Sequence, residues 1–202
     1  MYLSSTARFT AALIAIAALG AQVTQTVLDM SEGMGLFESL WRQARYFTVL
    51  MVVTTGVLMA AMTIRGRMAS TGTLTAVTVW IVMVGLVYHA LLAATHHPEG
   101  IEVTINEIQH TAVPITMLLF WLGFAPKAGL TFVQPLVWVA CPLVYAVYAI
   151  ARGMMDGTFP YFFLNPDKTG WIGVGAYLIG LGALFYVAGA LLVFVAQRLA
   201  AR

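Results

Sequence analysis

Six long apolar runs divide this chain, and each is long enough to cross a hydrocarbon core of about 30 Å with roughly 20 residues. Hydrophobic residues make up 61% of the 202 positions and charged residues only 9%, too few charges to cover a water-soluble globule of this size. The pattern predicts an all-α integral membrane protein, a bundle of six transmembrane helices that forms one domain over residues 1–202. The predicted spans are residues 9–28, 46–64, 74–94, 109–125, 130–151 and 171–196.

The distribution of basic residues predicts the orientation of this bundle. If the amino terminus is cytoplasmic, the inner segments carry six basic residues and no acid, and the outer loops carry all eight acids. Because cytoplasmic loops are enriched in Lys and Arg, both termini are predicted to be cytoplasmic. Compact loops and alanine-rich spans favour the bacterial inner membrane, and a scattered net charge of +2 gives no indication of a nucleic-acid partner. The inner basic residues are Arg8, Arg65, Arg67, Lys127, Arg198 and Arg202.

Three polar residues fall at the outer ends of predicted spans and so share one depth: Thr48, His89 and His110. A threonine hydroxyl is a poor nucleophile unless a base lies within hydrogen-bond reach, and ionisable residues inside a membrane are candidates for function. Asn106 and Glu107 precede His110 by four and three residues, close enough on a helix to orient its imidazole. Two simpler interpretations stay open. Thr48 could bond back to a carbonyl one turn earlier, and His110 could be a hydrogen-bonded histidine at the membrane interface.

Other classes of function are also compatible with the residues. Haem needs only two axial imidazoles, so His89 and His110 could hold a haem in a membrane redox protein, and a non-enzymatic lipid-binding protein is a third interpretation. The sequence has no soluble-hydrolase or nucleotide-binding motif, and its single cysteine, Cys141, predicts neither a disulfide nor a metal site. A stripe of small residues in the last span favours close helix packing and a homodimer. It consists of Gly175, Gly182 and Gly189.

Several short motifs, taken in their order and spacing, resemble one known family. In the first half of the chain they are Arg45-Tyr46-Phe47-Thr48-Val49-Leu50, Tyr88-His89 with a following leucine pair, and Ile108-Gln109-His110 with Val113-Pro114 and Trp121. In the second half they are Pro135-Leu136-Val137-Trp138, Pro142-Leu143, Tyr145, Tyr148, Arg152-Gly153 and Phe159-Pro160-Tyr161-Phe162-Phe163-Leu164-Asn165. This pattern is similar to the androgen-induced-protein family of six-helix membrane proteins, and closest to its bacterial branch.

The resemblance implies an activity and roles for individual residues. Members of that family are threonine hydrolases that cleave fatty acid esters of hydroxy fatty acids without a cofactor. Thr48 matches the nucleophile and His110 the catalytic histidine, which implies a lipid or fatty ester as substrate. An oxyanion donor is then required, and the candidates are His89, Tyr88 and Asn106. Three arginines suit a substrate carboxylate, although lipid phosphates or loop acids are equally good partners. They are Arg42, Arg45 and Arg152.

Overall fold

The computed structural model describes residues 1–201, so Arg202, one of the predicted inner basic residues, lies outside the described part. Within residues 1–201 the chain is all-helical, with 80% of its residues in helices and no strands. The helices are α1 (Ser5–Ser31), α2 (Leu36–Gln43), α3 (Phe47–Arg65), α4 (Thr71–Val87), α5 (Ile101–Glu107), α6 (Val113–Phe124), α7 (Gln134–Trp138), α8 (Ala140–Asp156) and α9 (Pro166–Ala200). Two π-helical segments, Tyr88–Leu92 and Ile108–Ala112, continue α4 and join α5 to α6, and a 3₁₀ turn covers Phe162–Leu164.

Five helices of the described chain are long and apolar enough to cross a membrane, by length and composition. This confirms an all-helical fold, and the composition of these helices is that of a membrane-embedded protein. The five are Ser5–Ser31, Phe47–Arg65, Thr71–Leu92, Gln134–Asp156 and Pro166–Ala200. They correspond to the first, second, third, fifth and sixth predicted spans, and each begins and ends within five residues of the predicted bounds. The first and last helices begin before their apolar runs because the polar residues Ser4 and Asn165 cap them there.

The segment predicted as the fourth span, residues 109–125, is different. Its helical structure begins at Ile101 and continues through the π-helical segment to Phe124. The added residues include Glu102, Asn106 and Glu107. Because these are polar, the apolar run that defined the prediction stops short of them.

Glycine allows the closest helix contacts in the bundle. A Cβ added to Gly56 of α3 would lie 2.7 Å from Cγ of Leu19 on α1, so only glycine fits at this crossing. In the predicted glycine stripe of α9, a Cβ at Gly189 would lie 3.0 Å from Pro135, whereas a Cβ at Gly175 would meet nothing within 4 Å. The stripe therefore packs partly inside the chain, and the homodimer stays a prediction.

Helix α2 is held against the end of α1 by one buried carboxylate. Asp29 of α1 accepts hydrogen bonds from Ser39 Oγ at 2.5 Å and from Gln43 Nε2 at 2.8 Å. Arg42 of α2 also forms an ion pair with Asp29. This cluster fixes the short connection that leads from α2 into the first turn of α3.

Candidate functional site

Thr48 is the second residue of α3 and is 9% exposed. The first N–H groups of a helix have no acceptor within it, and Tyr46, the cap residue, makes no side-chain cap hydrogen bond. Thr48, the nucleophile predicted from the sequence, thus lies beside backbone N–H groups at the positive end of a helix of 19 residues.

Three tyrosine hydroxyls hold the backbone on either side of this helix start. Tyr145 donates to the carbonyl of Arg45 at 2.7 Å, and Tyr148 donates to the carbonyl of Ala44 at 3.2 Å. Tyr161 accepts the N–H of Phe47 at 3.1 Å. Because these tyrosines come from α8 and the loop after it, the position of Thr48 depends on the packing of the second half of the chain.

His110 lies on the π-helical segment Ile108–Ala112. Pro114 has no N–H to give to the carbonyl of His110 in a regular α-helical register, and Val113 donates instead to Ile108, five residues back. The freed carbonyl faces α4, where a Cβ added to Gly85 would lie only 2.7 Å from the His110 oxygen. The widened turn and the missing Cβ together bring His110 close to α4.

Thr48 and His110 are within hydrogen-bond distance, with Oγ1 3.3 Å from Nε2. The other ring nitrogen, Nδ1, is 3.1 Å from the backbone carbonyl of Asn106. A carbonyl oxygen can only accept, so Nδ1 carries the proton and Nε2 of the neutral ring is the acceptor for the Thr48 hydroxyl. A hydroxyl facing an unprotonated imidazole nitrogen is the arrangement that general-base activation of a nucleophile needs.

Tyr88 fixes the plane of the His110 ring. The two rings are stacked with centroids 3.8 Å apart and an angle of 20°. Asn106 Nδ2 donates to the Tyr88 hydroxyl at 2.9 Å, and the same oxygen is 3.3 Å from Nδ1 of His96. Tyr88 therefore supports His110 from its face, and its hydroxyl is already engaged by two neighbours.

Two cavities meet at Thr48. The polar chamber has a volume of about 580 Å³ and is lined by residues that include Arg42, Gln43, Asn106, Gln109 and His110. The apolar pocket, about 70 Å³, lies between α4, α8 and α9 and is lined by residues that include Met83, Val87, Leu143, Ala146, Leu181 and Phe185. Thr48, Tyr88, Leu92 and Tyr161 line both cavities.

The three predicted carboxylate-binding arginines have different surroundings. Arg45 is buried and forms a bidentate pair with Asp156, with N–O distances of 2.9 and 2.6 Å. Arg152 is also buried, stacks on Trp41 at 4.0 Å and lies 3.8 Å from Asp156. Asp156 thus accepts hydrogen bonds from Arg45, whereas Arg152 donates to the Tyr148 hydroxyl at 2.9 Å and lies beyond hydrogen-bond distance of Asp156. Arg42 alone lines the polar chamber, with a side chain that is 45% exposed and paired with Asp29.

The structure does not bring His89 to this site. Its Nε2 lies 3.0 Å from Thr111 Oγ1 on the exposed side of the bundle, and His89 lines neither cavity. As a haem ligand it would have to share a site with His110, whose Nε2 faces Thr48 instead. As an oxyanion donor it is likewise on the wrong side of its helix.

Sequence reasoning assigned no role to Tyr161, which the structure places beside Thr48. Its oxygen already accepts from Phe47, so its own proton can be donated towards the cavities that it lines. Burial raises the pKa of Tyr161 above its usual value, which keeps the hydroxyl protonated. The available signal was its place in the aromatic run 159–165, but an aromatic loop by itself indicates packing.

Neither Tyr88 nor Asn106 is placed as simply as Tyr161. The Tyr88 hydroxyl accepts from Asn106 Nδ2 and lies 3.3 Å from His96 Nδ1. Asn106 lines the chamber, and its Oδ1 is buried without a hydrogen-bond partner. An amide oxygen accepts hydrogen bonds and does not stabilise an oxyanion. Comparison with known proteins gives no further guide, since no family model, curated protein or solved structure matches this chain.

Proposed function

We propose that this chain is an intramembrane threonine hydrolase of lipid esters. The observation that carries the proposal is the 3.3 Å contact between Thr48 Oγ1 and the unprotonated Nε2 of His110, at the junction of two cavities. The sequence resemblance to the bacterial branch of the androgen-induced-protein family points to the same two residues, and membership of that family is part of the proposal.

In the first half of the reaction, His110 Nε2 takes the proton of Thr48 while Oγ1 attacks the ester carbonyl carbon. The tetrahedral intermediate collapses as the bond to the alcohol oxygen breaks. His110 returns its proton to that oxygen, so the alcohol leaves neutral and the acyl group stays on Thr48 as an ester.

Water then completes the turnover. His110 takes a proton from water as the water oxygen attacks the acyl-threonine, and it gives that proton back to Thr48 Oγ1 as this bond breaks. The products are a carboxylic acid and the regenerated enzyme. In both halves the negative charge on the carbonyl oxygen requires donors. We assign these to the Tyr161 hydroxyl and to the first-turn N–H groups of α3 that have no acceptor within the helix.

The resemblance and the two cavities support a class of substrate. Fatty acid esters of hydroxy fatty acids are the class that the resemblance implies, and Arg42 is the arginine that lines the chamber where a carboxylate would bind. General-base catalysis supplies about 10²–10⁴-fold, and no cofactor is required for this chemistry.

The full membrane arrangement also belongs to the proposal. We assign residues 101–124 as a sixth span, because at about 1.5 Å per residue this continuous helical stretch is long enough to cross a core of about 30 Å. Both termini are then cytoplasmic in a bacterial inner membrane. In intact cells of a Cys141→Ser background, an impermeant maleimide is expected to label a Glu99→Cys variant, and to label an Arg67→Cys variant only after permeabilisation. The reverse pattern would contradict the orientation.

Turnover of a fatty ester by purified protein tests the activity. Thr48→Ala is expected to reduce turnover to background, and His110→Ala to reduce it by at least about 10²-fold. The matched control is Thr55→Ala on the same helix, where a buried threonine only donates to the Met51 carbonyl at 2.8 Å. Full turnover by Thr48→Ala would refute the nucleophile, and bound but unconsumed lipid in the wild type would indicate a lipid-binding protein instead.

A further inference from the structure

The two cavities that meet at Thr48 differ in chemistry, and this difference indicates which part of an ester each cavity binds. In the apolar pocket, aliphatic and aromatic side chains from α4, α8 and α9 surround a narrow space of about 70 Å³. This apolar lining favours hydrocarbon over polar groups, because a polar group placed there would lose its hydrogen bonds to water.

The polar chamber has the opposite character. Gln43, Asn106 and His110 line it with polar side chains. Arg42 and Gln109 line the same space and add donors for an anionic or hydroxyl group.

The apolar pocket also has an open side. Leu143 lines it and is 42% exposed, and it lies near the middle of the Gln134–Asp156 span. On the outer surface of the same helices, Val144 is 69% and Ile179 is 76% exposed, so apolar side chains surround this opening. A membrane-embedded chain presents such a surface to lipid tails, and the opening is at the depth where those tails lie.

We infer that the acyl chain of the ester enters the apolar pocket sideways from the bilayer, between α8 and α9, while the alcohol portion occupies the polar chamber. The inference rests on the proposed function and assigns the two arms of its substrate. The preferred class is an ester whose alcohol carries a further hydroxyl or anionic group within reach of Arg42 or Gln109. After the first step the alcohol leaves through the chamber, and the acyl-threonine keeps its chain in the pocket.

Two isomeric esters test the direction. Butyl dodecanoate and dodecyl butanoate contain the same atoms, but the first has a long acyl arm and the second a long alcohol arm. Wild-type protein is expected to hydrolyse butyl dodecanoate at least about tenfold faster, since a few methylene contacts in an apolar pocket discriminate by about 10–200-fold. 1-Monododecanoylglycerol is expected to exceed butyl dodecanoate, because its free hydroxyl groups reach the chamber.

Variants at the opening test the pocket itself. Leu143→Trp is expected to reduce turnover of butyl dodecanoate by about tenfold or more and to reduce turnover of butyl butanoate by a smaller factor. Leu181→Phe changes a lining residue on α9 and is expected to have the same effect. This second variant keeps the test decisive if one of the two does not fold. Val144→Trp is the matched control: it follows Leu143 directly, is 69% exposed and does not line the pocket.

The outcomes separate the two proposals. A preference for dodecyl butanoate, or an equal loss on both acyl lengths in Leu143→Trp and Leu181→Phe, would overturn the assignment of the arms while leaving the hydrolase intact. A loss in Val144→Trp as large as in Leu143→Trp would overturn it as well. Failure of folded wild-type protein to hydrolyse any of these esters would overturn the proposed function, and the assignment with it.

Discussion

The contact between Gly85 and the backbone of His110 makes Gly85→Ala the most informative single change away from the reacting atoms. The added Cβ would lie 2.7 Å from the His110 carbonyl oxygen and 3.3 Å from Cβ and Cγ of Pro114. Ordinary van der Waals contact begins at 3.4 Å. The carbonyl must therefore retreat by about 0.7 Å, the difference between these distances, unless α4 moves away by the same amount.

The effect on activity should exceed the effect on stability. Overpacking costs about 1–3 kcal/mol, and replacing glycine by alanine inside a helix returns roughly 0.5–1 kcal/mol, so the protein should still fold. The imidazole moves with its backbone, however, and the Thr48–His110 contact is already 3.3 Å. Because a misplacement of about 1 Å can cost roughly 10²-fold in rate, we expect turnover to fall by about 10–100-fold.

The assay compares ester turnover and the thermal unfolding midpoint of wild type, Gly85→Ala and Gly180→Ala in the same detergent. Gly180 is the control because a Cβ added there meets nothing within 4 Å. We expect Gly180→Ala to match wild type in turnover. Wild-type turnover by a folded Gly85→Ala variant would refute the reasoning that this glycine sets the position of His110.

Three further predictions concern the surroundings of the pair. Tyr161→Phe removes the assigned oxyanion donor and should lower kcat by about 10²-fold, while costing only about 1 kcal/mol of unfolding free energy through the lost acceptor for Phe47. Asp156→Asn leaves the buried Arg45 without its carboxylate, so both the thermal midpoint and turnover should fall, as measured by unfolding scans and ester assay. Gly56→Val places a side chain against Leu19 and should lower the free energy of unfolding by about 1–3 kcal/mol, measured in denaturant.

Each of these changes has a matched control. Tyr177→Phe removes a hydroxyl from a tyrosine that packs against Phe162, and equal rate losses in both tyrosine variants would remove the oxyanion role. Glu32→Gln neutralises an exposed acid; if it destabilises as much as Asp156→Asn, the pairing with Arg45 is not the cause. For Gly56→Val the control is again Gly180→Ala, and an unchanged unfolding free energy would show that α1 and α3 adjust without cost.

The sequence predicted the elements better than it predicted their contacts. The five long apolar helices follow from apolar runs alone, since a lipid-facing helix must be apolar over its whole length. The beginning of the fourth helical stretch could not be predicted in this way. Glu102 and Asn106 line the polar chamber rather than facing lipid. The helix therefore begins before the apolar run from which the span was predicted.

The structure brings together the two residues that the sequence singled out, but their contact could not be predicted from the sequence. Thr48 and His110 were singled out by depth and by the family resemblance, but their 3.3 Å contact depends on a π-helical turn and on the close approach of Gly85. The roles of Tyr161 and Asp156 depend on contacts with Phe47 and Arg45 across more than 100 residues of chain. No local pattern encodes such pairings, because they form only when the two halves of the bundle pack.

Covalent labelling of Thr48 tests the central claim most directly. Purified wild-type protein is treated with a fluorophosphonate, which reacts with activated hydroxyl nucleophiles, and the modified peptide is identified by mass spectrometry beside Thr48→Ala, His110→Ala and Thr55→Ala. We predict that the wild type and Thr55→Ala are modified on Thr48 and that the other two variants are not modified. Modification of a different residue, or persistence of the Thr48 adduct at the wild-type rate in folded His110→Ala, would contradict an activated threonine paired with His110.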